Sequence, residues 1–245
     1  LQRVEYGEDK LQGLDYIYTI NGWLKGINFP HDYDIGEDGG TANPLYPKDA
    51  FGTILNYHTD DYLHSSTVSW SDRLNDVTGF NSLYNGNIAS WESGFSTSVW
   101  AGAGLSGGQN IFGGVYKYDI LNRLLQSRNS LFVGSDWQTP NNNFYSEYSY
   151  DPNGNFVDLG RNNSTAATIH DFVYTYTANT NRLASVATTT GTYNYTYDGS
   201  GNLLTDSDNQ LNNMEWTADG KIRRLRKLVN FNVNGNGSVE WYEVG

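Results

Sequence analysis

Tyr195-Thr196-Tyr197-Asp198-Gly199-Ser200-Gly201-Asn202-Leu203 is the stretch that decides the fold. Residues i and i+2 of a strand point to the same side. Tyr195 and Tyr197 therefore place two rings on one face. Asp198 has a short side chain that bonds the backbone of a turn, and Gly201 can take positive φ. Leu203 then opens a returning strand. The nine residues read as a strand, a tight turn and the start of a second, antiparallel strand.

The same signature recurs. Tyr148, Tyr150, Asp151, Gly154, Asn155 and Phe156 repeat it, as do Tyr116, Tyr118, Asp119, Asn122, Arg123 and Leu124. Tyr174, Tyr176, Thr177, Asn181, Arg182 and Leu183 carry one extra residue in the turn. Weaker copies are Tyr16, Tyr18, Thr19, Gly22, Trp23, Leu24 and Met214, Trp216, Thr217, Gly220, Lys221, Ile222; Phe80, Gly86, Asn87 and Ile88 keep only the end of the pattern. A lone hairpin is marginal in water because its apolar face stays wet. Stacked copies cover one another's stripes, the logic of repeat proteins. The expected fold is all-β: antiparallel β-hairpin repeats in one continuous twisted sheet, with helix under about a tenth of the chain against the usual third. The paired aromatics are expected to form the repeat core, and Asp119, Asp151, Gly154, Asp198, Gly201 and Gly220 the turns.

The consensus Y-x-Y-D-x-x-G-N-L resembles the YD repeat of the RHS family, which includes bacterial polymorphic-toxin shells, the C components of insecticidal Tc toxins and animal teneurins. The resemblance is good over residues 115–228 and weaker over 14–90. The segment from Tyr16 to Leu24, with Asp49-Ala50-Phe51-Gly52, is similar to RHS-like proteins of Bacteroidetes. The resemblance implies a sheet that spirals into a hollow shell, a secreted or cell-surface location, and a structural role in encapsulating or delivering a toxin. It implies no self-cleavage here. The D-P-x-G-x-x-D-G type motif that precedes a cleaved payload is missing, and Asp151-Pro152-Asn153-Gly154 shares only its first four letters inside a repeat turn.

Composition agrees. Aromatics are 15% of the chain, with 19 Tyr and 7 Trp, while 27 Gly supply turns. The formal net charge of −12 repels phosphate backbones, so nucleic acid is not an expected partner. With no Cys, a disulfide framework and a thiolate metal site are both excluded. No apolar run reaches the roughly 18 residues of a membrane-spanning helix. The only Met is Met214 and the chain opens on Leu1, which suggests a processed piece of a longer protein. Both ends, Leu1 to Tyr6 and Trp241 to Gly245, are strand-like and lack a polar capping unit. Expected partners are thus other segments of a longer parent, or a second copy joined edge to edge.

Three regions follow. Residues 1–114 hold degenerate repeats, an acidic loop at 31–50 and Gly/Ser-rich turns at 94–114. Residues 115–228 hold the clear repeats, with 129–144 and 158–170 as insertions at hairpin tips. Residues 229–245 read as a terminal strand or hairpin.

Other candidate sites have simpler readings beside them. His31, His58, His64 and His170 are scattered, and His58 and His64 beside Asp60 and Asp61 match no metal-ligand spacing. Asn230, Asn232, Asn234 and Gly235 mimic the start of a calcium loop, but position 12 is Trp241 and Glu240 misses by one. The pairs Asp60/Asp61 and Asp32/Asp34 could serve a glycosidase only if they faced one another across a sugar. Lys221, Arg223, Arg224, Arg226 and Lys227 read either as a docking patch for an acidic partner or as a charged, protective edge strand. Trp23, Trp91, Trp100 and Trp137 could stack on sugar, or serve as core. No residue is assigned to catalysis, a metal or a cofactor. The expected role is a non-enzymatic structural module, with a glycan-binding surface adhesin as the alternative and a glycoside hydrolase behind it.

Overall fold

The computed structural model describes residues 3–7, 12–28, 50–62, 81–95, 111–133, 136–138, 141–231 and 238–244. Most of the acidic loop 31–50, residues 96–110 with Trp100, His31, His64, Phe80 and the calcium-loop mimic at 232–237 lie outside them. Every regular element among the described residues is a β-strand, and every register given is antiparallel. The all-β, antiparallel hairpin architecture expected from the repeats is what the structure shows.

The chain forms two compact units. One spans residues 1–146 with 162–167, the other 147–161 with 168–245. In the first, β1 (Arg3–Tyr6), β2 (Gln12–Tyr18), β3 (Leu24–Ile27), β4 (Phe51–Asn56), β5 (Ser90–Phe95), β6 (Ile111–Tyr118), β7 (Leu124–Val133) and β8 (Asp136–Trp137) make a meander in which each strand pairs with the next. Its two faces differ sharply. Phe51 stands opposite Phe95, Ser93 opposite Phe112, and Trp91 opposite Gly114. This face carries ring contacts Phe51–Phe95 and Phe95–Phe112, both at 6.1 Å, and an edge-on Trp91–Phe112 contact at 5.7 Å. Gly114 is required beneath the indole, because a Cβ there would lie 2.7 Å from Trp91 Nε1. The rings are only half-buried, however. The deeply buried face is the other one, lined by Ile54, Asn56, Ser90, Glu92, Ile111 and Val115.

The second unit is built from β9 (Ser146–Tyr150), β10 (Phe156–Asn162), β11 (Thr168–Tyr176), β12 (Leu183–Thr188), β13 (Gly191–Tyr197), β14 (Leu203–Asp206), β15 (Leu211–Trp216), β16 (Ile222–Phe231) and β17 (Ser238–Val244). Here the alternation is that of a one-sided sheet. Tyr174 faces Val186, which faces Tyr193; Tyr195 faces Asp206 and Tyr197 faces Leu203. These tyrosines are half-buried, while Val173, Thr175, Asn194 and Thr196 between them are exposed. Phe156 on β10 extends the stripe, meeting Tyr148 at 5.9 Å, Tyr150 at 5.1 Å and Tyr174 at 6.0 Å. Val186 and Met214 are its buried apolar centres. Hydroxyls tie the exposed face together, as in the 2.6 Å contact of Thr196 Oγ1 with Thr205 Oγ1.

Two expectations are corrected. Residues 158–170 are not a hairpin-tip insertion. They belong to the long strands β10 and β11, and only Asn163–Ala167 lies between; likewise 129–133 complete β7. The basic cluster is not an edge strand. Leu211 and Asn212 of β15 face Lys227 and Arg226, and the same two basic residues face Tyr242 and Glu243 of β17. β16 is therefore paired on both sides, and its cations need no role in guarding an edge.

Met214→Ala is expected to destabilise the chain by about 2–5 kcal/mol, the range for a buried Met-to-Ala change. Thr196→Ala on the exposed face should stay within about 0.5 kcal/mol. Urea unfolding of the two variants checks which face carries the packing.

Candidate functional site

The feature that recurs along the chain is a five-residue turn. In Thr19–Trp23, Asp119–Arg123, Asp151–Asn155, Asn163–Ala167, Asp198–Asn202 and Thr217–Lys221, the first N–H donates to the fifth carbonyl at 2.8–2.9 Å. The fourth N–H donates back to the first carbonyl at 2.9–3.2 Å. The fourth residue is always left-handed: Gly22, Asn122, Gly154, Ala166, Gly201 and Gly220 have φ between 62° and 93°. Gly and Asn take that region at little cost. Ala166 does not, which is why the Asn163 turn left little trace in the sequence. In the turn with one extra residue, Thr177 N–H reaches Arg182 O at 2.8 Å, and the left-handed position falls on Asn179 rather than Asn181.

The aspartate has a definite task. Asp151 Oδ1 accepts from the N–H groups of Asn153 and Asn155, both at 2.9 Å, and Oδ2 accepts from Asn155 Nδ2 at 2.8 Å. Asp198 does the same with Ser200 and Asn202. Asp119 holds Leu121 and Arg123 N–H, and its Oδ2 takes Arg123 Nε at 2.6 Å. The fifth residue is Asn or Arg because it answers the second carboxylate oxygen. These donors hold the carboxyl groups below their ordinary value of 3.8. The largest cause is the Arg123 backbone N–H for Asp119, and the side-chain amides of Asn155 and Asn202 for Asp151 and Asp198.

Next to five of these turns the strand register slips: at Ile17/Tyr18, Lys117/Tyr118, Thr175/Tyr176, Thr196/Tyr197 and Glu215/Trp216. The slip sets the second aromatic opposite the aliphatic residue that follows the turn: Leu24, Leu124, Leu183, Leu203 or Ile222. The polar tip of a second aromatic then reaches back to the preceding turn. Tyr118 Oη donates to Ile88 O at 3.0 Å, Tyr176 Oη to Phe156 O at 2.9 Å, and Trp216 Nε1 to Leu203 O at 2.7 Å. Tyr57 Oη makes the same bond to Leu24 O at 2.8 Å. Tyr57 was missed in the sequence, because neither the aromatic two residues before it nor the Asp-Gly-Asn turn after it is present. Leu24, Phe156 and Leu203 are each the first residue after a turn, and Ile88 follows the left-handed Gly86 by two residues, so each ring clasps the preceding segment to its own.

Turn side chains also touch sideways. Asn85 Nδ2 and Asn87 Nδ2 donate to Asn122 Oδ1 at 2.6 and 3.0 Å. Asn153 Nδ2 and Asn155 Nδ2 both donate to Asn181 Oδ1 at 3.0 Å.

Of the sequence-selected rings, Tyr116 and Tyr118 meet at 6.3 Å, and Tyr148, Tyr150 and Tyr174 converge on Phe156. Tyr16 is half-buried and Tyr18 is exposed. Burial pushes the Tyr118, Tyr174, Tyr176, Tyr195 and Tyr197 hydroxyls above their ordinary value. Trp23 packs on Tyr57 at 5.0 Å and Trp137 on Phe132 at 5.5 Å, so both are committed to intramolecular contacts. His58 stacks on Tyr84 at 4.4 Å. Arg224 pairs with Glu215 at 3.0 Å and Lys221 with Asp219 at 3.0 Å. Asp60 is exposed, whereas Asp61 is buried, so the two do not form a facing pair.

Asp61 belongs to a buried polar cluster that sequence reasoning did not find. Lys25 Nζ lies 2.6 Å from Asp61 Oδ1 and donates to Asn56 Oδ1 at 2.7 Å. Asn56 Nδ2 donates to Ser90 Oγ at 2.9 Å and lies 3.4 Å from Glu92 Oε1. Asp61 Oδ2 accepts the Tyr57 N–H at 2.8 Å. Lys25 and Glu92 are 1% and 2% exposed, and Asn56 and Ser90 are fully buried. A linear sequence places these residues up to about 67 positions apart, with no local pattern to join them.

Tyr176→Phe, which deletes the clasp to Phe156 O, is expected to cost about 1 kcal/mol, the net worth of such a bond. Tyr174→Phe should cost under about 0.5 kcal/mol. Thermal unfolding of the pair tests this. Acid provides a second test. A carboxylate held below its unfolded value stabilises the folded state fully above about pH 4, and that contribution is lost as pH falls through the folded value. The chain should therefore weaken below about pH 4. Combined Asp119→Asn, Asp151→Asn and Asp198→Asn should flatten that dependence, measured as the urea midpoint against pH.

No family model matches the chain, and no curated protein matches it. Solved structures do align with it. A crystal structure of TcdB2-TccC3-TEV is 13% identical with a TM-score of 0.25, covering 99% of this chain and 15% of that one. A Photorhabdus luminescens Tc holotoxin pore is 14% identical with a TM-score of 0.19, covering 95% and 18%. TcdB2-TccC3-Cdc42 is 13% identical with a TM-score of 0.19, covering 99% and 19%. The chain thus spans less than a fifth of the length of each of these three chains.

Proposed function

We propose that this chain is a non-catalytic structural module, one stretch of the wall of an RHS/YD-repeat shell in a secreted or cell-surface protein that encapsulates or delivers a toxin. The clasped turn carries the reading. The same backbone bonds, the same left-handed fourth residue and the same register slip recur along the chain, and ring donors link one hairpin to the next. Repetition of a linking geometry is what an extended wall needs, since each unit must present the next with the same docking surface. A catalytic centre instead gathers different groups around one point. The partners that fit are further hairpins of the same parent chain.

Electron cryo-microscopy of the natural full-length protein is expected to find these hairpins side by side in the wall of a hollow shell. A solid β-domain would contradict the reading. A glycan array tests the adhesin alternative: retention of one sugar class, abolished by an exposed-ring substitution such as Tyr84→Ala, would replace the shell proposal.

A further inference from the structure

The buried polar cluster is arranged for chemistry that the wall role does not require. Taking an ammonium and carboxylates out of water costs several kcal/mol per ion, and replacing such groups by apolar ones is often neutral or stabilising. Lys25 with Asp61 alone would satisfy an ion pair. Asn56 and Glu92 are extra, and their placement is specific.

We propose that Lys25 and Asn56 form an intramolecular isopeptide bond, with Asp61 taking the ammonium proton and Glu92 carrying a proton to the departing amide nitrogen. The orientation of the Asn56 amide follows from its neighbours. An ammonium only donates, so the atom facing Lys25 Nζ at 2.7 Å is the carbonyl oxygen. The nitrogen therefore faces Ser90 Oγ at 2.9 Å and Glu92 Oε1 at 3.4 Å. The nucleophile lies at the carbonyl side of the acyl group and a proton carrier at its leaving group. This hydrogen bond holds the amine against the carboxamide; for attack, Nζ must move off the oxygen to within the roughly 3–3.5 Å of Cγ at which reacting atoms meet. Asp61 Oδ1 sits 2.6 Å from Nζ without an aligned hydrogen bond, while its Oδ2 is anchored by Tyr57 N–H. This fixes Asp61 as an adjacent base, the arrangement that activates a lysine amine. Burial excludes the water that would compete for the acyl carbon.

The step balances without a co-reactant. The Lys25 ammonium gives one proton to Asp61, and the neutral amine attacks Asn56 Cγ, forming the new C–N bond. The second amine proton passes through Glu92 to Nδ2. The Cγ–Nδ2 bond breaks, and ammonia leaves with the proton held by Asp61. A primary amide and an alkylammonium become a secondary amide and an ammonium ion, with no change of oxidation state. The bond joins adjacent strands β3 and β4 across a sequence separation of 31 residues. It stands whether or not the shell reading holds.

Intact-mass spectrometry of the folded, incubated full chain tests it. The expected mass is that of the sequence less one ammonia, and proteolysis under denaturing conditions should release one branched species joining the Lys25 and Asn56 peptides. Lys25→Arg should restore the full sequence mass. Asn56→Asp, which keeps the packing, should lose water in place of ammonia. Glu92→Gln should slow bond formation by at least about 100-fold, the scale of general acid–base assistance. Three results would overturn the proposal. One is the full sequence mass in a wild-type chain shown to be folded by near-ultraviolet circular dichroism. Another is ammonia loss that maps to a linear peptide, as in backbone succinimide formation. The last is loss of water mapped to Lys25 and Asp61.

Discussion

The structure depends on the closure of a five-residue turn around a left-handed fourth residue. Once the first N–H reaches the fifth carbonyl and the fourth residue takes positive φ, the two strands leaving the turn are one residue out of step. That mismatch is absorbed where the register slips, immediately before the second aromatic. The ring is thereby aimed at the aliphatic residue across the turn, and in Tyr118, Tyr176 and Trp216 its polar tip reaches the carbonyl of the hairpin before. Turn chemistry, ring placement and hairpin-to-hairpin linkage are one geometric fact seen at three distances. The lateral amide contacts between Asn153, Asn155 and Asn181 add a second tie at the turn itself.

The two units apply this device to different interiors. In the second, one face carries tyrosines around Val186 and Met214 while the other is exposed hydroxyls and amides, so stability rests on a single layer of half-buried rings. In the first, the ring face is again half-open, but the opposite face is buried and partly polar, with Ile54, Ile111 and Val115 beside Asn56, Ser90 and Glu92. Gly52, Gly94 and Gly113 lie on that same face. A buried charge network is costly when incomplete. Here the Lys25 ammonium is met by the Asp61 carboxylate and the Asn56 carboxamide, and the carboxamide in turn by Ser90 and Glu92, although Asp61 Oδ1 lacks an aligned hydrogen bond.

Much of the turn and ring geometry was legible in the sequence because its causes are local. Tyr-x-Tyr-Asp-x-x-Gly-Asn-Leu lists, in order, a stripe, a cap, a left-handed residue, a second cap donor and a closing aliphatic. What stayed hidden had non-local or weaker local causes. The Asn163 turn puts Ala166 in the left-handed region, a residue that signals helix or nothing. The extra residue after Thr177 moved the positive φ to Asn179, because either Asn would serve and only backbone closure chooses. The basic run at 221–227 looked like an edge strand, since cations guard edges, and only pairing with β17 shows otherwise. The Lys25 cluster draws on three strands and a loop, and nothing along the chain announces that they meet.

The most direct test of the interlocked turn is amide hydrogen exchange by NMR in Gly154→Ala. A Cβ at Gly154 meets open space, so its cost, about 1–2 kcal/mol, comes from the left-handed φ alone. If the turns are clasped as described, exchange should quicken at Asp151 and Gly154 and, together with them, at Thr177 and Thr180 in the neighbouring turn. Acceleration confined to residues 151–155 would show that each hairpin closes independently, and would contradict the linkage on which the rest of the structure is built.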